Sequence, residues 1–334
     1  MHTHSASAFG RRHLLKVGAA GAAGAVTSLL PSLGSAQGIG GGPIKILIAS
    51  TPGTGGDTMA RMIQPLLQAK WNQPFIVENK PGAAGVIGID SVASSAPDGH
   101  TFMIQTSTMF LLPYFYKMQS DVLKSFQPIT QVGWSTFALA VNPNVPAKNF
   151  AEFVQWVKAS NGKLNYASPG AGTENHVFME MLKLNMGLSI AHIPYKGAAG
   201  AIQDVIGGQV PMMFLPVQTA MNWAKDNRIR VLGVTTKERF PLFPDLPTLS
   251  EQGATDFNYT NWYGIWGPAG MSADLVARYG TLLRDVLETA EIKSRFASSG
   301  WVVKTSTPEE LAQISHTQYE AWGQIVKRGN IKAE

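Results

Sequence analysis

The sequence predicts an α/β protein of two domains, each built on a mainly parallel sheet, with a ligand cleft between them. Three observations carry this. Short apolar runs alternate with segments of helical period, as expected of parallel strands joined by crossover helices. A strand, a glycine-rich loop and a helix follow one another in each half of the chain, as "ILIASTPGTGGDTMAR" and "LNYASPGAGTENHVF". About 298 of the 334 residues remain after an N-terminal leader, enough for two such domains.

The leader spans residues 1–36. "GRRHLLK" (Gly10–Lys16) pairs two arginines, an Ala/Gly-rich apolar run follows to about Leu33, and "GSA" precedes Gln37. This is the pattern of a twin-arginine export signal, so the expected location is the periplasm. The chain has no cysteine. That excludes disulfides, thiolate metal sites, a cysteine nucleophile and a lipid-modified N-terminal cysteine, so a soluble, unanchored mature chain is expected. The full chain carries 27 Lys+Arg against 22 Asp+Glu. Removing Arg11, Arg12 and Lys16 with the leader leaves 24 against 22. No basic run remains, and nucleic acid is not an expected partner.

In order along the chain, "IKILI" (Ile44–Ile48) is a buried strand. Asp57 is a candidate cap for the next helix, whose apolar face holds Met59, Met62, Ile63, Leu66 and Leu67. "FIVE" is a strand, "NKPGAAG" a loop, Val86–Ser95 a short helix and "TFMIQ" a third strand ending in "TST" (Thr106–Thr108). A second domain, 141–261, follows the crossing at "FALAVNP". Asn149 and Glu152 open a helix to about Ala159, "KLNYA" is a strand, and the second glycine loop leads into "VFMEMLKLNM". "AHIPY", a helix near Ala198–Ile206, "PMMFL", a short helix and "IRVLGV" complete this domain. The chain returns through "NWYGIWG", so the first domain comprises 37–140 and 262–334. Helices near Ala273–Thr289 and Ile292–Ser299 and the strand "WVVK" follow. Thr307, Pro308 and Glu310 begin a final helix to about Arg328.

Several chemistries fail on spacing. "GTGGDT" has Thr58 where a dinucleotide fingerprint needs its third glycine, "GAGTEN" fails likewise at Asn175, and neither loop has a P-loop lysine, so no cofactor is expected. The four histidines after the leader, His100, His176, His192 and His316, show no metal-ligand spacing, and no metal is expected. A periplasmic serine hydrolase using Ser168 and His176 is the alternative from another class. Tyr166 stands where GxSxG needs its first glycine, and Pro169 follows the serine. Trp134 and Tyr263 lie near strand ends at the domain crossings, where either ring could stack on a ligand.

The motifs "PGTGGDTMAR", "VENKPGAAGVIG", "APDGHT", "KLNYASPGAGT", "IPYKGAAGAIQDVIGGQV", "LPTLSEQG" and "WYGIWGPAG" fall in the order seen in Bug-type extracytoplasmic solute receptors, which the chain resembles over nearly all of its length past the leader. The resemblance implies a type II periplasmic-binding-protein fold with two crossover hinge strands. It implies a non-catalytic role as a monomeric receptor, capturing a small carboxylate for membrane transporter subunits. It places the clamp on the loops Thr54, Gly55, Gly56, Asp57 and Ser168, Gly170, Gly172, Thr173, with His176 close behind and Thr106, Ser107 and Thr108 lining the cleft. Many relatives carry an Asp–Asn pair where this chain has Leu215 and Pro216, which makes the cleft less polar. Di- and tricarboxylates and aromatic carboxylates are the expected ligands. Physically, glycine loops expose backbone N–H groups at positive helix ends without side chains in the way.

Overall fold

The computed structural model describes residues 38–255 and 257–332, and the leader lies outside them. The first sheet holds β1 (Ile44–Ile48), β2 (Phe75–Asn79), β3 (Thr101–Thr106), β4 (Phe126–Ser135), β10 (Asn261–Pro268) and β11 (Val302–Val303) in the order β11-β4-β10-β3-β1-β2. The second holds β5 (Phe137–Val141), β6 (Asn165–Ser168), β7 (Ala191–Pro194), β8 (Met212–Pro216) and β9 (Arg230–Val234) in the order β7-β6-β8-β5-β9.

Parallel pairing holds for β1 with β2 and β3, and for β6 with β7 and β8. The strands that enter from the other sheet reverse it. β5 is antiparallel to β8 and β9, and β10 is antiparallel to β3 and β4. Strand β4 has no counterpart in the sequence reading. "FQPITQVGWS" has Pro128, Gly133 and interspersed polar residues that hide its period, yet it runs ten residues through the sheet.

The helices are α1 (Gly55–Trp71), α2 (Val86–Ala93), α3 (Phe150–Ala159), α4 (Glu174–Met186), α5 (Ala198–Ile206), α6 (Val217–Lys225), α7 (Ala273–Leu287), α8 (Ala290–Ser298) and α9 (Pro308–Gly329). Their starts follow local chemistry. Asn149 accepts from the Glu152 N–H and Thr173 from the His176 N–H. Thr307 and Glu310 form a reciprocal capping box with Pro308 behind it. Thr54, not Asp57, is the N-cap of α1. Asp57 sits inside the first turn, and its carboxylate reaches back to the Gly53 N–H at 2.9 Å.

The two crossings are tied together by Thr235, which is fully buried. Its hydroxyl meets that of Thr136 at 3.0 Å, accepts from the Phe137 N–H at 3.2 Å and donates to the Tyr259 carbonyl at 2.8 Å. Helix α9 packs on β4 and on α4, where Trp322 lies 5.9 Å from Phe178. One apolar cluster therefore runs from Leu47 and Phe110 of the first sheet's layers to Phe137 and Phe214 of the second.

Candidate functional site

The loop after β1 is held by its own side chains. Ser50 and Thr54 hydroxyls meet at 2.7 Å, and Arg61 joins the Asp57 carboxylate at 3.0 Å and the Asn79 amide oxygen at 3.1 Å. Burial alone would raise the pKa of Asp57. Hydrogen bonds from Arg61, Gly53 and Asn79 outweigh it and hold the carboxyl below its usual range. Asp57 is thus committed to loop geometry.

Tyr263 of β10 lies across the first turn of α1. A Cβ on Gly55 would stand 2.8 Å from its phenolic oxygen, and one on Gly56 3.1 Å from its ring. Burial and the nearby Glu174 charge push the phenol's pKa up, so it is a neutral donor. Tyr263 also borders two cavities. The larger, about 390 Å³, is lined by Gly53, Gly55 and Thr58 of the α1 entry, Pro216, Gln218 and Thr219 of the α6 entry, the crossing residues Ser135, Thr136, Phe137 and Asn261, and the side chains Met59, Met62, Phe296, Ser299 and Trp301. The smaller, about 220 Å³, includes Thr54, Gly56, Ala84, Gln105, Thr106 and Thr108. The first turns of helices from both lobes thus border one cavity, where unpaired N–H groups and the positive helix ends favour an anion.

Of the residues expected at the site, Gly55, Pro216 and Tyr263 line the larger cavity, and Thr54, Gly56, Thr106 and Thr108 the smaller, which Tyr263 also borders. Trp134 borders neither, and packs its ring edge-on to Phe240 at 5.1 Å. The second glycine loop also lies outside both. Gly172 has φ +75°, and a Cβ there would stand 3.0 Å from the Phe115 ring. Thr173 donates its hydroxyl proton to the Gly170 carbonyl at 2.8 Å.

Ser168 and His176 do not pair. Ser168, fully buried, meets His192 Nε2 at 2.7 Å, and His176 Nδ1 accepts from the Gly172 N–H at 3.0 Å. The two imidazoles stack 4.0 Å apart and 6° from parallel. Burial lowers the pKa of His176, Glu180 raises it, Lys183 lowers it, and the net shift is downward. A buried serine is out of reach of a substrate, so the hydrolase arrangement expected of Ser168 and His176 is not formed.

Glu174 is a functional-site candidate the sequence analysis missed. It is the first residue of α4 and 5 % exposed. Its carboxylate accepts from the Ser107 hydroxyl at 3.1 Å and from the Asn261 amide. Burial dominates and raises its pKa against hydrogen bonds from Asn261, Thr108 and Ser107. It joins the entry of α4 to the segment after β3 and to the crossing strand. A single acid inside a loop motif carries no periodic or spacing signal that would reveal this.

Among the described residues no cluster of three His, Cys, Asp or Glu could hold a metal, and no helix is long and apolar enough to cross a membrane. Residues 59–331 match the family model described as tripartite tricarboxylate transporter family receptor. The chain belongs to this receptor family. BugT of Bordetella pertussis (strain Tohama I) is 28% identical over 87% of this chain and 90% of its own length. The periplasmic binding protein BugD is 28% identical, covering 87% of this chain and 99% of that one, with a TM-score of 0.75. MatC from Rhodopseudomonas palustris, solved with bound malate, is 25% identical over 85% of this chain and 98% of its own, with a TM-score of 0.74. This receptor therefore has the two-domain periplasmic-binding-protein fold, with its cleft between the sheets, and it is a Bug-type solute-binding protein.

Proposed function

We propose that this receptor captures a small carboxylate in the periplasm after twin-arginine export, acts without catalysis, and delivers its ligand to membrane transporter subunits. Its lobes would be 37–140 with 262–334, and 141–261, closing over the ligand about the Thr235-tied crossings. The observation that carries the reading is the cavity bordered by the opening turns of both α1 and α6. There the ligand carboxylate accepts from backbone N–H groups of the α1 turn and from the Tyr263 hydroxyl, whose raised pKa keeps its proton available to donate. With no lysine or arginine among the described residues of the cavity wall, the anion is held by dipoles, and release to a transporter stays feasible. The malate bound to MatC supports a carboxylate as the ligand class.

A thermal-shift screen of mono-, di- and tricarboxylates tests this. A ligand should raise the melting temperature in step with its concentration. Tyr263→Phe removes one donor to a charged acceptor and should weaken the hit by about 10- to 150-fold, the equivalent of the usual ~1.5–3 kcal/mol for such a bond. Gly55→Val should abolish the shift. A panel in which no carboxylate stabilises the protein would refute the reading.

A further inference from the structure

The larger cavity has a one-sided chemistry. Its donors come from the α1 and α6 turns and from Tyr263. The rest of the wall includes Met59, Met62, Phe137, Phe296 and Trp301, and among its described lining residues there is no Lys, Arg, His, Asp or Glu. Several polar side chains on this wall are already engaged. The Ser135 hydroxyl donates to the Gly300 carbonyl at 2.8 Å, Thr136 meets Thr235, and the Gln218 amide donates to Asn222 at 2.9 Å. A second or third ligand carboxylate would be pressed against thioethers and rings without a counter-charge, which is strongly unfavourable.

We infer that this cavity takes an aromatic monocarboxylate, its carboxylate on the α1 and α6 turns and its ring against Trp301 and the Met62 thioether. This rests on the carboxylate-capture reading and narrows it. A flat ring suits the wall. Trp301 and Tyr263 already meet edge-on at 4.9 Å, so a third ring extends an aromatic cluster, and methionine sulfur packs favourably on ring edges. Phe296 and Met59, nearly fully buried, back this wall and hold it firm.

Titration calorimetry of the full chain with benzoate, phenylacetate, cyclohexanecarboxylate, malate and adipate separates the outcomes. Benzoate or phenylacetate should bind at least tenfold more tightly than malate and adipate, and severalfold more tightly than cyclohexanecarboxylate. Trp301→Ala should weaken the aromatic ligand at least fivefold more than it weakens malate. Met62→Lys puts a cation on the half-buried wall of α1 and should shift preference toward adipate, so the inference stays testable if Trp301→Ala does not fold. Malate or adipate binding as tightly as the aromatics, or cyclohexanecarboxylate matching benzoate, would overturn the inference and leave carboxylate capture standing. No binding by any of the five would overturn both.

Discussion

Glu174 shows how burial and linkage act at the scale of one residue. Ser107, Thr108 and Asn261 supply hydrogen bonds that do not offset its desolvation. Its folded pKa therefore lies above its unfolded one. Between those two values the folded state binds more protons, so stability falls as pH rises from the ordinary glutamate range through the folded pKa. Glu174→Gln should remove this component. The melting temperature of the variant, compared with the parent from pH 4 upward, should gain on it as pH rises; parallel curves would show that Glu174 titrates normally. Asp57 has the opposite sign. Its pKa is lowered, so its contribution is present above the unfolded value and is lost as pH falls through the folded one.

Elements here start where short polar motifs dictate. The capping box of α9 satisfies two N–H groups that have no partner within the helix, at Thr307 and Glu310. Thr307→Ala should cost about 1 kcal/mol and lower the melting temperature by about 2 °C in a domain of this size. An unchanged melting temperature would mean that water replaces the cap fully. The α1 entry is anchored differently, by Asp57 reaching back to Gly53 while Arg61 braces it. Asp57→Ala leaves the Gly53 N–H and Arg61 without that carboxylate. It should destabilise by about 2 kcal/mol, measured by denaturant unfolding, and weaken ligand binding because the loop loses its fixed shape.

At the scale of the molecule, two sheets meet at two crossings, and Thr235 holds those crossings together from a fully buried position. Thr235→Val keeps the shape but strands the Phe137 N–H, at a cost of about 1–3 kcal/mol. Closure about these crossings predicts that saturating ligand contracts the protein, read as a smaller radius of gyration in solution scattering. Ligand contacts made in the closed state alone would drive it. Identical scattering with and without ligand would set closure aside. The long α9, packed on both β4 and α4, limits the amplitude, since Trp322 must keep or exchange its contacts with Phe178 and Tyr259.

The sequence by itself determined the α/β class, nearly every strand and helix, the caps at Asn149 and Thr307 and the glycine turn at Gly53–Gly56. Those depend on local period, capping chemistry and backbone freedom, which act between near neighbours in the chain. Tertiary structure alone decided that β4 runs beside β10, that Ser168 meets His192 instead of His176, that Gly172 faces Phe115, and that Tyr263, Pro216 and Trp301 share a wall with Gly55. These are contacts between distant segments, fixed by packing and burial, and no spacing along the chain encodes them.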